Sequence, residues 1–178
     1  MLTVLIAWMG LAFGGTLAGV TVPDTATLGG ETVQLNGLGL REKFFFDIYV
    51  GSLYLKTKTS DAKKAIEADE PKMVEMHFIY DELTKEQVAG AFEESFAKNP
   101  GAAAVRSDLD KLISWVPAKL KKNQVIVFEY VPGTGTTFKV DGTAKGTVAG
   151  ADFMKVVWGI WLGPNPPTAA LKTGMLGK

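Results

Sequence analysis

The stretch from Lys43 to Leu55 constrains the fold most, because almost every position in it is apolar or aromatic. A strand with one face in water alternates polar and apolar residues, whereas a strand covered on both faces does not. The stretch therefore predicts a central strand, with a layer packed on each face or a cavity on one of them. Arg41 precedes it, behind Gly37 and Gly39, and places a permanent positive charge at its beginning.

The rest of the chain predicts further strands and several amphipathic helices. Alternating or β-branched patterns predict strands at 32–35, 72–80, 124–131, 136–140 and 144–148. Helical patterns are found at 60–69, from Thr84 with Gln87 as a capping box, from Ser107, over Ala151–Leu162, and from Pro166 to about Met175. This order predicts an α+β domain, an antiparallel β-sheet with a layer of helices on one face.

Composition excludes several classes of function. The 19 basic and 19 acidic residues balance, and no basic cluster of the kind that binds nucleic acid is present. The chain has no cysteine and one histidine, so disulfides, thiolate sites and multi-histidine metal sites are excluded, and no cofactor or metal is predicted. His77 shares a strand face with Glu75, which favours a pair on the sheet over a general base.

The first 18 residues have no charged side chain. Thr16 and Ala18 stand at the −3 and −1 positions of a cleavage site, so residues 1–18 are predicted to be a signal peptide for export to the periplasm. An uncleaved membrane anchor is the alternative, since about 20 apolar residues span a bilayer. Residues 19–178 are then one domain, in which no segment is long and apolar enough to span a membrane.

Two residues are candidates for a ligand site, and each has a structural alternative. Arg41 either is solvated or pairs with Glu42 or Asp47 at the end of a strand, or it anchors an anion at the mouth of an apolar cleft, since its planar fork matches a carboxylate. Tyr49 is either a core tyrosine bonded to the backbone or a polar group of the same cleft.

The segment "LNGLGLREKFFFDIYVGSLYL" resembles the chalcone isomerase superfamily, and more closely its bacterial branch of small exported proteins. The shared pattern is Gly-x-Gly-x-Arg, a short connection, and an aromatic strand; the end, "WGIWLGPNPPTAALKTGMLG", is also similar. The resemblance implies an open-faced sandwich with a cleft between sheet and helices. It matches Arg41 and Tyr49 to the arginine and tyrosine that hold the carboxylate in related fatty-acid-binding proteins. In the plant isomerases the matching arginine orients the substrate.

The sequence departs from the isomerases at the other polar positions of their site. Tyr49 stands where they have a threonine, Gln87 and Glu94 fall near their helix tyrosine and asparagine, and Val156 falls near their late serine or threonine. This favours non-catalytic binding of a small hydrophobic carboxylate over turnover. The alternatives are an isomerase or intramolecular lyase acting on a phenolic or unsaturated carbonyl compound, and an envelope protein without a cleft.

Overall fold

The predicted strands and helices assemble into an antiparallel sheet with helices on one face. The computed structural model describes residues 13–99 and 101–178. Its strands are β1 (Phe13–Leu17), β2 (Val20–Pro23), β3 (Thr25–Leu28), β4 (Glu31–Lys43), β5 (Phe46–Leu55), β6 (Lys72–Phe78), β7 (Glu82–Thr84), β8 (Lys119–Lys121), β9 (Val125–Val131), β10 (Gly135–Val140) and β11 (Thr143–Val148). Its α-helices are α1 (Ala62–Glu67), α2 (Lys85–Ala97), α3 (Arg106–Trp115), α4 (Ala151–Leu162) and α5 (Ala169–Met175).

Seven strands form the main sheet in the order β11-β10-β9-β6-β5-β4-β3, with every neighbouring pair antiparallel. β5 lies between β4 and β6, and every residue from Tyr49 to Leu55 is buried, which confirms the predicted central strand. The predicted capping box of α2 is present, with the Thr84 and Gln87 side chains each bonded to the other's backbone. The predicted α+β fold is therefore confirmed.

The two faces of the sheet are covered differently. The helices lie on one face, where α4 is buried around most of its circumference because its sequence is apolar on all sides. A short hairpin of β1 and β2 lies on the other face, where Val22 packs with Leu35 and Tyr54. No helix within residues 13–99 and 101–178 is long and apolar enough to span a membrane.

The predicted signal peptide overlaps this hairpin. Its first twelve residues lie outside the described part of the chain, and residues 13–17 form β1. Four pairs of residues join β1 to β2, from Phe13 opposite Pro23 to Leu17 opposite Val20. Cleavage after Ala18 would separate β1 from its partner strand.

The prediction that the strand begins at Lys43 is wrong at its first positions. Phe44 and Phe45 form a two-residue turn between β4 and β5, with φ values of 50° and 68°. The Phe-Phe pair has no turn signal of the Asn-Gly or Asp-Gly type, so its sequence pattern is that of a strand. Arg41 consequently lies near the end of β4, opposite Tyr49.

The two glycines before Arg41 admit the backbone of the last helix. A Cβ atom at Gly37 would lie 2.2 Å from the carbonyl oxygen of Gly174, and one at Gly39 would lie 2.2 Å from that of Leu171. The Asn36 side chain also donates to the carbonyl oxygen of Met175 at 2.8 Å. Gly37 and Gly39 thus allow α5 to pack directly on β4.

Candidate ligand-binding site

A cavity of about 400 Å³ lies between the sheet and the helices. This volume is within the range of small-molecule sites, which is roughly 300–1,000 Å³. Most of its wall is apolar and comes from β5, β6, α2 and α4. Representative wall residues are Ile48, Met76, Phe78, Val88, Phe92 and Ile160. The sheet and two helices therefore enclose a space suited to a hydrocarbon chain or ring.

Arg41 and Tyr49 both line this cavity, so the structure brings the two predicted site residues together. They are paired across β4 and β5, and the Arg41 Cζ atom lies 6.0 Å from the centre of the Tyr49 ring. One of the predicted structural alternatives for Arg41, an ion pair with Glu42 or Asp47, is not formed. Within the described part of the chain, no carboxylate lies at ion-pairing distance from the guanidinium of Arg41, a residue that is partly buried.

Tyr49 is buried, and its hydroxyl bonds to a side chain of α4 rather than to the backbone. The Trp161 Nε1–H donates to the Tyr49 Oη at 3.1 Å, so the hydroxyl acts as an acceptor in this bond. Its own proton has no acceptor among the residues that the structure describes. Burial raises the pKa of Tyr49 to about 12, although the Arg41 charge and the Trp161 bond lower it in part. The phenol is neutral at physiological pH and has a proton to donate.

The sequence model of the family described as chalcone isomerase-like matches residues 14–177. The chain belongs to the chalcone isomerase-like family. Among solved structures it is similar to the crystal structure of a fatty-acid binding protein of Arabidopsis thaliana, with a TM-score of 0.73 and 18% sequence identity. That match covers 89% of this chain and 92% of the Arabidopsis chain, and at this identity it supports the fold. No curated protein matches the chain.

The family resemblance implies three further site positions in this chalcone isomerase-like chain. Only one of them lines the cavity. Gln87 lines the cavity, but its Oε1 accepts from the Thr84 backbone at 2.8 Å. Glu94 is exposed and pairs with Lys98 at 2.6 Å. Val156 is buried outside the cavity lining. Of the site positions that the sequence predicted, Arg41 and Tyr49 therefore line the cavity with donor groups, and the lining also includes Lys43, Tyr80 and Ser95.

The histidine of this chalcone isomerase-like protein lies on the other face of the sheet. The predicted pair with Glu75 is confirmed, with His77 Nε2 at 3.1 Å from the Glu75 Oε2. The Ser52 hydroxyl donates to the same oxygen at 3.0 Å, so the carboxylate lies between the serine and the imidazole. A serine activated by histidine is not assembled there. No cluster of metal-ligating side chains occurs within residues 13–99 and 101–178.

Sequence reasoning missed the role of Trp161. Trp161 is fully buried in the core, and its indole also fixes the Tyr49 hydroxyl. The available signal was that a buried tyrosine needs a partner for its hydroxyl. The sequence did not identify that partner, because it is 112 positions away.

Proposed function

We propose that the protein binds a small amphipathic acid of the fatty-acid type without turning it over. The carboxylate accepts hydrogen bonds from Arg41 and from the Tyr49 hydroxyl, and the apolar tail fills the cavity beneath α2. One observation supports this above all: the Arg41 guanidinium and the Tyr49 phenol line the same apolar cavity, and among the described residues the first has no carboxylate partner and the second no acceptor for its proton.

The free energies of the two kinds of contact give the apolar cavity wall and the Arg41 anchor different roles. Burying about 12 methylenes offers roughly 10 kcal/mol at ~0.8 kcal/mol each, before the costs of association. A hydrogen bond to a charged group contributes about 1.5–3 kcal/mol. The apolar wall therefore sets the affinity, and Arg41 sets the orientation of the ligand and the preference for an acid.

Binding is favoured over an isomerase reaction by the positions of the remaining polar groups. Glu94 and Val156 lie outside the cavity lining, and Gln87 is engaged by its own helix cap. Removing one donor that stabilises developing charge typically lowers a rate by about 10²–10³-fold. The Arabidopsis relative of the same fold is described as a fatty-acid binding protein, which also supports binding.

We also propose that the protein acts in the periplasm. The apolar segment at residues 1–18 and the resemblance to the bacterial branch support an exported protein that acts in the periplasm. A periplasmic carrier of amphipathic acids would hold a ligand of low solubility in the aqueous space between two membranes.

The test compares tetradecanoic acid with its alcohol, which share a tail and differ in charge. The wild type is expected to prefer the acid by about tenfold or more, and Arg41→Ala is expected to lose that preference while it retains affinity for the alcohol. Arg106→Ala is the matched control, because Arg106 is the other arginine of the chain and is exposed, paired with Glu93 and Asp110. An equal loss of acid and alcohol binding in Arg41→Ala would refute the anchor.

A further inference from the structure

Three consecutive phenylalanines lie exposed at the turn between β4 and β5. The exposed fractions are 79% for Phe44, 102% for Phe45 and 57% for Phe46, and these are the large hydrophobic side chains exposed in the described part of the chain. Lys43 completes this segment, with its Nζ 5.8 Å from the centre of the Phe44 ring. We call residues 43–46 the aromatic tip. An exposed apolar patch of this kind typically marks an interaction surface.

The fold does not require aromatic residues in this turn. Within residues 13–99 and 101–178, three other two-residue turns have the same pair of positive φ values, and each has glycine second: Ala18-Gly19, Gly29-Gly30 and Asp141-Gly142. Glycine adopts this backbone without steric cost, whereas a bulky side chain is strained there. Phe45 stands at the glycine position with φ of 68°. The chain therefore keeps an exposed phenylalanine where glycine would favour folding.

The aromatic tip is continuous with the ligand cavity. Lys43, Phe44 and Phe46 line the cavity together with Arg41, and Phe45 lies beyond them outside the lining. The Phe46 ring contacts the Tyr80 ring edge-on at 5.7 Å, and Tyr80 lines the cavity as well. An apolar surface therefore runs from the outside of the protein into the cavity at the end where Arg41 lies.

We infer that the aromatic tip inserts into the interfacial region of a phospholipid bilayer and holds the cavity mouth against it, so that an amphipathic acid passes between bilayer and cavity. The inference rests on the proposed function for its ligand, because such acids partition into bilayers. Aromatic rings favour the membrane interface, and Lys43 can extend its charge to the headgroups. Arg41 and Lys43 balance Glu42 and Asp47, so insertion does not depend on anionic lipid.

The test uses the full chain, so that the apolar residues 1–18 contribute equally to every variant. Phe45→Gly removes the most exposed ring and leaves the cavity lining intact. It is expected to weaken association with phosphatidylcholine vesicles about tenfold and to slow transfer of tetradecanoate from vesicles to the protein by a similar factor. Phe45→Trp should restore both, and added phosphatidylglycerol should change the association of the wild type less than about threefold.

Two controls separate the aromatic tip from the cavity and from the first residues. Phe45→Gly should bind tetradecanoate in vesicle-free solution as the wild type does, with an equal or higher midpoint of urea unfolding. The chain has no cysteine, so a polarity-sensitive dye can be attached at Glu42→Cys beside the tip or at Lys145→Cys on the edge strand β11. On vesicles, the dye at position 42 should shift to shorter wavelength, and the dye at position 145 should not.

Equal vesicle association of the wild type and Phe45→Gly, together with equal dye shifts at the two positions, would overturn the inference and leave the proposed function standing. Absence of wild-type association with vesicles would also overturn it. Failure of the wild type to bind tetradecanoate in vesicle-free solution would instead refute the proposed function. The comparison of vesicle association would still decide whether the tip binds a bilayer.

Discussion

Replacing Tyr49 with phenylalanine tests the buried hydrogen bond that fixes the candidate site. The substitution keeps the ring and removes the oxygen that accepts from the fully buried Trp161 indole. A buried donor left without a partner costs about 1–3 kcal/mol. At pH 7 the free energy of unfolding of Tyr49→Phe is therefore expected to lie about 1–3 kcal/mol below that of the wild type.

This difference is expected to shrink at high pH. Burial raises the pKa of Tyr49 to about 12, whereas a phenol in the unfolded chain titrates near 10. Between these values the unfolded state loses its proton and the folded state keeps it, so the stabilisation present below pH 10 is lost as pH rises toward 12. Two pKa units correspond to at most about 3 kcal/mol. Only the wild type has this contribution, so the two stability curves should converge.

The assay is urea unfolding followed by circular dichroism at pH 7, 9, 10 and 11 for both proteins. A double-mutant cycle with Trp161→Phe isolates the contribution of the hydrogen bond at pH 7. The pKa values of Tyr54 and Tyr130 are also raised, and both residues remain in the two proteins, so their effects cancel in the comparison. A difference that stays constant from pH 9 to 11 would refute the assignment of a buried, neutral phenol at position 49.

Two further predictions concern packing. Gly39→Ala should lower the free energy of unfolding by about 3 kcal/mol or more, because the new methyl group would meet the Leu171 carbonyl. The control Gly90→Ala, on the exposed side of α2, should raise the free energy of unfolding by about 0.5–1 kcal/mol. Similar urea midpoints for the two variants would contradict the close contact of α5 with β4. A chain that begins at Gly19 should be at least about 2 kcal/mol less stable than one that begins at Phe13, because it lacks β1, which packs on β4 beside Leu35 and Leu38. Equal urea midpoints of the two chains would show that β1 contributes nothing to the free energy of unfolding.

The helices were predictable because their signals are local. The capping residues of α2 lie within four positions of each other, and the apolar run of α4 coincides with the helix from Ala151 to Leu162. The length of β4 was not predictable in the same way. Glycine weakens a strand, so the segment around Gly37 and Gly39 has poor strand propensity, and the reason for these glycines is a helix more than 130 positions later.

The candidate site was predictable in its residues but not in its geometry. The resemblance to the family selected Arg41 and Tyr49, and the structure places both on one cavity. Their adjacency depends on the register of β4 and β5, which the turn at Phe44 and Phe45 determines. Since that turn lacks turn residues, the sequence assigned its phenylalanines to a strand and did not reveal the exposed aromatic tip.

The contact between α5 and β4 has a consequence for how the chain folds. β4 lies in the first quarter of the sequence, yet its glycines and Asn36 meet residues 171–175 at the other end. The cavity also has Pro167 in its wall, just before α5. During synthesis on the ribosome, these long-range contacts cannot form while residues 167–175 are inside the exit tunnel. The contacts of β4 with α5, and the part of the cavity wall that Pro167 provides, are therefore completed only after all the elements from β1 to α4 have been synthesised.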